Sequence, residues 1–276
     1  MAGSKQWKLS LLYLLAIAVF LVMIFPYVYM VLQSLAPWEQ VDRKFIPTDL
    51  TLRSYRWLFF GGEGVVPRPW LRAFLNSMIV TASSTFLMMI VAVLTGYAIT
   101  KLKFKGSRFV HNVILFQMFY PAVILLIPLF LLVKNVGMYN TYLGMIIPKA
   151  VDLWAIFMYI NFFKSIPNEV IESAKMDGAG SVKTIWKIVL PMSKSITTII
   201  FLFLFMVRWV ELLWDMIVVN DPKMLTLNVL LAQMFGPYGA YPGPMYAGSV
   251  LLTLPILILF ILFSKNFKEG MDFAIK

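Results

Sequence analysis

The chain has no cysteine and one histidine, His111. Disulfides, thiolate nucleophiles, cysteine-ligated metals and histidine clusters are therefore excluded. Charge is scarce, at 13% of 276 residues, and acidic side chains are the scarcer sign, 13 against 24 basic ones. No Walker motif, glycine-rich phosphate loop or Ser-His-Asp set is present, so this polypeptide is expected neither to bind ATP nor to do covalent chemistry. What it has in abundance is apolar surface: 61% of residues are hydrophobic and the mean hydropathy is +0.82. Such a composition does not suit a water-soluble domain and belongs in a bilayer. Lys and Arg gather in short segments between apolar runs, the pattern of a helical protein that crosses the membrane several times. The formal net charge of +11 does not point to nucleic acid, because the basic residues flank apolar runs and form no soluble domain with base-stacking aromatics.

A spanning helix needs about 20 mainly apolar residues. Six stretches qualify, roughly 9–33, 74–100, 109–133, 142–163, 195–219 and 245–264, within a single transmembrane domain over 1–276. Lys5 and Lys8 precede the first stretch as they would in a signal peptide, but the apolar run is long and lacks a small-residue cleavage site. It reads as a retained span. Pro26, Pro121, Pro128 and Pro255 lie inside these stretches. Membrane helices tolerate them where neighbours satisfy the freed carbonyls. The predicted fold class is all-α and polytopic, with kinked helices around a path.

Basic residues set the orientation. The N-terminus, Lys101, Lys103, Lys105 and Arg108, the 164–194 segment, and Lys265, Lys268 and Lys276 fall on one side, read as cytoplasmic with both termini. The long loop 35–73 on the other side carries Arg43, Lys44, Arg53, Arg56, Arg68 and Arg72, partly balanced by Glu39, Asp42, Asp49 and Glu63. Trp38, Trp57, Trp70, Tyr139, Tyr142 and the Tyr-Pro-Gly-Pro run at 241–244 suit an aromatic belt at the outer interface.

Between the fourth and fifth stretches lies a polar segment, 166–180, that reads as a short helix with defined ends. Pro167 and Asn168 suit its start, Glu169 and Glu172 favour the positive end of its dipole, and Gly178 suits a left-handed stop. Ser181 can cap a second helix through Val182, Ile185, Trp186 and Val189 to Pro191. Val170, Ile171 and Ala174 share a face that can pack inward or against another protein. Glu172-Ser173-Ala174, then Gly178, then nine residues to Ile188-Val189-Leu190-Pro191 resembles the EAA loop of ABC importer permeases, with Ser173 in place of the first alanine.

The resemblance extends over about 70–276 to the carbohydrate-uptake branch, typified by the smaller maltose-type permease subunit. It is carried by Asn76-Ser77, Gly96-Tyr97-Ala98, the run Lys101 to Gly106, Pro121 with Pro128-Leu129, and Gly137 to Gly144, and loosely by Gly270-Met271-Asp272. It implies a type I ABC importer permease with six spans, and a coupling loop over about 166–191 whose helix sits in a cleft of a cytoplasmic ATPase. Glu169, Glu172, Ser173, Ala174, Met176, Asp177, Gly178, Leu190 and Pro191 are then the ATPase-coupling residues. The implied partners are two ABC ATPase subunits, a second and different permease, an extracytoplasmic solute-binding protein, membrane lipid and a sugar or oligosaccharide. This chain would hold no cofactor, with ATP and Mg bound on the ATPase, in the inner membrane of a prokaryote.

The fifth stretch departs from that family, with Trp209-Val210-Glu211-Leu212-Leu213-Trp214 where Trp-Asn-acid-aromatic-Leu-Trp is usual, and Arg208 where a small residue is common. Arg208, Glu211 and Asp215 recur at three- and four-residue steps, which puts them on one face of a continuous helix. A charge at mid-bilayer costs about 2.5–3.5 kcal/mol on insertion scales. Two readings stay open: a structural Arg208–Glu211 pair, or a polar wall of the path formed with Trp209 and Trp214. Lys149 and Asp152 form a similar i,i+3 pair in the fourth stretch. If Arg208 faces the path, its bidentate fork suits a carboxylate and an acidic sugar. His111 and the scattered methionines read as packing. The alternative function is an ion-coupled secondary transporter of a small polar solute, for which Glu211 and Asp215 are the modest support. A membrane enzyme would need converging nucleophiles, acids or metal ligands, and none converge.

Overall fold

The computed structural model describes residues 3–61, 69–236 and 239–275. Glu63, Arg68 and Lys276, weighed above for charge, lie outside them. The chain forms two compact units, Met1–Trp70 with Leu231–Leu254, and Leu71–Leu230 with Pro255–Lys276. Helix dominates both.

In the first unit, α1 (Gly3–Ser34) contains a 26-residue apolar span, Leu9–Ser34, whose large side chains face outward. Such a helix is stable only in an apolar solvent, where its backbone bonds are all internal. At its end Gln33 is buried and donates from Nε2 to the carbonyls of Lys44 (2.9 Å) and Phe45 (3.3 Å), while its Oε1 accepts from the Asp42 amide at 2.9 Å. That side chain therefore folds the following loop back onto the helix. The loop carries α2 (Arg53–Phe60), and Trp57 packs against Tyr241 with ring centroids 4.8 Å apart. Trp57 and Trp70 are buried, which corrects their assignment to an interfacial belt. Their indoles fill the unit's own interior, so they are not left for headgroups.

In the second unit, α3 (Trp70–Tyr97) continues through a wider π-helical turn, Ala98–Leu102. Asn76 and Ser77 near its start hold a distant loop: Asn76 donates to the carbonyls of Lys223 and Leu225, and Ser77 Oγ accepts from the Leu227 amide at 2.7 Å. The third span is α4 (Ser107–Met118) and α5 (Leu126–Asn135), broken at Pro121 with a bend of 98°. Proline removes an amide donor, which gives the break its cause. The fourth is α6 (Tyr142–Ile146) and α7 (Leu153–Ser165), bent by 41°.

A short α8 (Asn168–Met176) follows, then α9 (Ser181–Thr184), a π-helical turn Ile185–Val189, α10 (Leu190–Met192) and α11 (Lys194–Trp209). The expected span 195–219 is not one helix: α11 stops at Trp209, and α12 (Leu213–Val218) begins after a three-residue break. Non-helical backbone is tolerated at membrane depth where protein buries or satisfies it, and the Val210 carbonyl accepts from Asn228 Nδ2 at 2.6 Å. After α13 (Leu227–Ala232) and a two-residue hairpin pair, β1 (Phe235–Gly236) and β2 (Gly239–Ala240), α14 (Pro242–Ile275) carries the last span over Pro242–Ser264. Among the described residues three helices are long and apolar enough to cross a membrane; counting each bent pair as one span, the third being Ser181–Met192 with Lys194–Trp209 at 89°, gives up to six.

The second unit's core is built from Met88, Ala92 and Tyr97 of α3, Ala155, Ile156, Tyr159, Ile160 and Phe163 of α7, and Ile200 and Leu204 of α11. Lipid tails are as apolar as these side chains, so close packing holds the helices together more than burial from water does. Gly96 allows a close approach of α3 to α7, since a Cβ there would stand 2.9 Å from Tyr159 Cβ.

Candidate functional site

Two features of the second unit carry chemistry. The first is the segment from Ile166 to Met192. Ile166 and Pro167 are extended, as a proline and the residue before it favour, and this separates α7 from α8. Glu169 in the first turn of α8 and Lys175 in the last both complement the helix dipole. The helix is closed by Gly178 at φ +74°: its amide donates to the Lys175 carbonyl at 3.0 Å, and the Ala179 amide to Ala174 at 2.9 Å. This is the doubly bonded left-handed stop that glycine supplies at least strain.

Ile171 and Ala174 are buried and Val170 half-buried, so α8 rests on the core by one face. Glu169, Glu172, Ser173, Lys175, Met176, Asp177 and Gly178 are exposed, Met176 to 89%. A rigid nine-residue helix with a packed inner face and a free outer face can act as a lever. Ser181 is not the cap expected of it: Gly180 takes that position and Ser181 is the first helical residue. Leu190 is half-buried and Pro191 exposed, at the start of α10. Val182 and Trp186, also exposed, extend the outer surface.

The second feature is a cavity of about 780 Å³ bounded by the α4–α5 bend, the α6–α7 bend and α11. Gln117, Tyr120, Asp152, Trp154, Lys149 and Glu211 reach its wall, as do Arg208 and Trp214. Arg208 is 2% exposed and Asp215 3%. The guanidinium forks onto that carboxylate, Nη2 to Oδ1 at 2.7 Å and Nη1 to Oδ2 at 3.2 Å. Nε donates to Ser84 Oγ and Nη2 also to the Met145 carbonyl, which ties α3, α6 and α12 to the end of α11. The expected Arg208–Glu211 pair is therefore corrected. Glu211 instead binds Lys149 at 3.0 Å, and Lys149 in turn does not pair with Asp152, whose Oδ1 caps α7 by accepting from the Ala155 amide at 2.7 Å. The cause is the break after Trp209, which takes Glu211 and Asp215 off helical spacing.

Five of the seven residues expected along the path thus meet at this cavity. Trp209 and Asp215 are absent from its wall; Trp209 packs on Phe74 and Phe205 with centroids 5.9 and 5.8 Å away. Trp214 donates from Nε1 to the Gly144 carbonyl at 3.1 Å. Gln117, Tyr120 and Trp154 were missed by sequence reasoning; the kink at Pro121 was the available signal for the first two.

These features define a polytopic helical membrane protein with a charged cavity among bent spans and a surface helix joined to them. Residues 88–268 match the family described as binding-protein-dependent transport system inner membrane component. The chain belongs to that family and is a multi-pass inner-membrane permease. It is 30% identical to the arabinooligosaccharides transport system permease protein AraQ of Halalkalibacterium halodurans over 253 residues, covering 90% of this chain and 89% of that protein. It is 28% identical to the lactose transport system permease protein LacG of Rhizobium radiobacter, covering 95% of this chain and 94% of that one. Its fold matches a chain of a bacterial ABC transporter that imports the acidic polysaccharide alginate, at a TM-score of 0.83 and 22% identity over 97% of this chain and 98% of that one.

Proposed function

We propose that this permease forms one half of the path of an ATP-driven importer of a sugar or oligosaccharide. Its partners are a second, different permease, two ABC ATPase subunits and an extracytoplasmic binding protein. The observation that carries this is α8, whose inner face is packed into the core of the spans while Glu169, Glu172, Ser173, Met176 and Asp177 face outward. This chain is a non-catalytic subunit; ATP and Mg belong to the ATPase. When the ATPase subunits close they push α8, and the core moves with it to switch access to the path. Both termini lie in the cytoplasm, on the side of α8.

The cargo class rests on the relatives, whose names give arabinooligosaccharides and lactose. Gln117, Tyr120, Asp152 and Trp154 on the cavity wall suit a polyhydroxylated ligand, with the indole as an apolar platform. Arg208 does not supply a carboxylate receptor, because Asp215 already occupies its fork. An acidic cargo, like that of the alginate importer, would have to be read by other groups. Ion coupling loses its support, since Glu211 and Asp215 are each held by a cation. The test is to co-purify the chain with its partners and measure ATPase activity with loaded binding protein, offering neutral and acidic oligosaccharides in turn. Stimulation by loaded binding protein is the expected result. Uptake driven by an ion gradient, with no ATPase in the complex, would overturn the proposal.

A further inference from the structure

We infer that Lys101 is a positioning residue that locks the joint between α7 and α8 and carries the displacement of α8 to the end of α3; this rests on the importer reading above. Lys101 lies in the π-helical turn Ala98–Leu102, where the extra residue per turn re-aims side chains relative to an α-helix. Its ammonium donates to the Ile166 carbonyl at 2.6 Å and to Asn168 Oδ1 at 3.1 Å. Those two residues flank Pro167, the joint between the two helices. One cation from a third element therefore holds both sides of the joint.

The chemistry suits the position. Ile166 follows the last turn of α7, where carbonyls lack helical partners and the dipole is negative, so an ammonium is favoured there. Glu169 in the first turn of α8 offsets the lysine's approach to that helix's positive end. Beneath the clasp, Tyr97, Ile99, Phe163, Ile166 and Ile171 are buried in one cluster, and Gly96 brings α3 against Tyr159. A push on α8 has two outlets. With the clasp absent, the joint at Pro167 bends and the displacement is lost locally. With it present, α8, the end of α7 and the end of α3 move together.

A lysine that merely sits at a helix end, with its stem on apolar surface and its head in water, would leave coupling unchanged when removed. The deciding quantity is substrate transported per ATP hydrolysed by the complete complex in lipid nanodiscs with loaded binding protein. In Lys101→Met, which removes both hydrogen bonds, this ratio is expected to fall at least about tenfold, the figure for losing even one hydrogen bond to a charged group, while hydrolysis continues. Lys101→Arg, which keeps the charge and both donors, is expected to restore it to within about twofold. A wild-type ratio in Lys101→Met, or no rescue by Lys101→Arg, overturns the inference. Should Lys101→Met not assemble, Asn168→Leu removes one of the two acceptors and leaves the lysine in place. A lowered ratio is then expected, and an unchanged one overturns the clasp. Absence of any ATPase stimulation in the wild type would instead refute the importer reading.

Discussion

Replacing Gly178 tests the lever by backbone strain alone. The residue sits at φ +74°, and a Cβ built there meets nothing within 4 Å, so the Cβ itself adds no clash. What it adds is the penalty of a left-handed backbone, about 1–2 kcal/mol for an L-residue, with a β-branched side chain at the upper end. Gly178→Ala should then shift the closed stop of α8 about fivefold toward an open one, and Gly178→Val about thirtyfold, at about 1.4 kcal/mol per factor of ten. The stop is held by the bonds from Gly178 to Lys175 and from Ala179 to Ala174, so its opening frays the end that presents Met176 and Asp177. The assay is ATPase stimulation by loaded binding protein together with vesicle uptake. The expected order is wild type, then Gly178→Ala, then Gly178→Val, with complexes of equal subunit content. Equal activity in all three would refute the idea that the ordered end of α8 transmits force.

Arg208→Ala leaves the Asp215 carboxylate buried without its cation, a loss of about 3–5 kcal/mol. The melting midpoint of the purified protein should fall sharply, while Arg208→Leu combined with Asp215→Leu recovers most of it. A double variant as unstable as the single one would sink the structural reading of the pair. Because the chain has no native cysteine, single cysteines report orientation cleanly. In sealed, right-side-out vesicles a membrane-impermeant maleimide should label Ile46→Cys and spare Met176→Cys, and the reverse pattern would invert the topology.

Apolar runs of spanning length made the polytopic helical class legible in advance, because the bilayer imposes a minimum length on any helix that crosses it. The stop at Gly178 and the start at Pro167 were legible too, since these are local backbone preferences of glycine and proline. The break after Trp209 was not. No proline or glycine marks Val210, Glu211 or Leu212, and the break is held by groups distant in the chain, such as Asn228 on the Val210 carbonyl. With the break hidden, helical spacing predicted the wrong partners for Arg208 and Glu211, and the bend between α6 and α7 did the same for Lys149.

The sequence by itself determined that this is a helical membrane protein and where the short helix ending at Gly178 starts and stops, because each depends on residues near one another in the chain. Only the tertiary structure decided which charges neutralise which, that Trp57 and Trp70 turn inward, and that Lys101 clasps both sides of Pro167. Those outcomes depend on which helices meet and at what depth. In a low-dielectric interior a buried charge is stable only beside the partner that the fold brings to it.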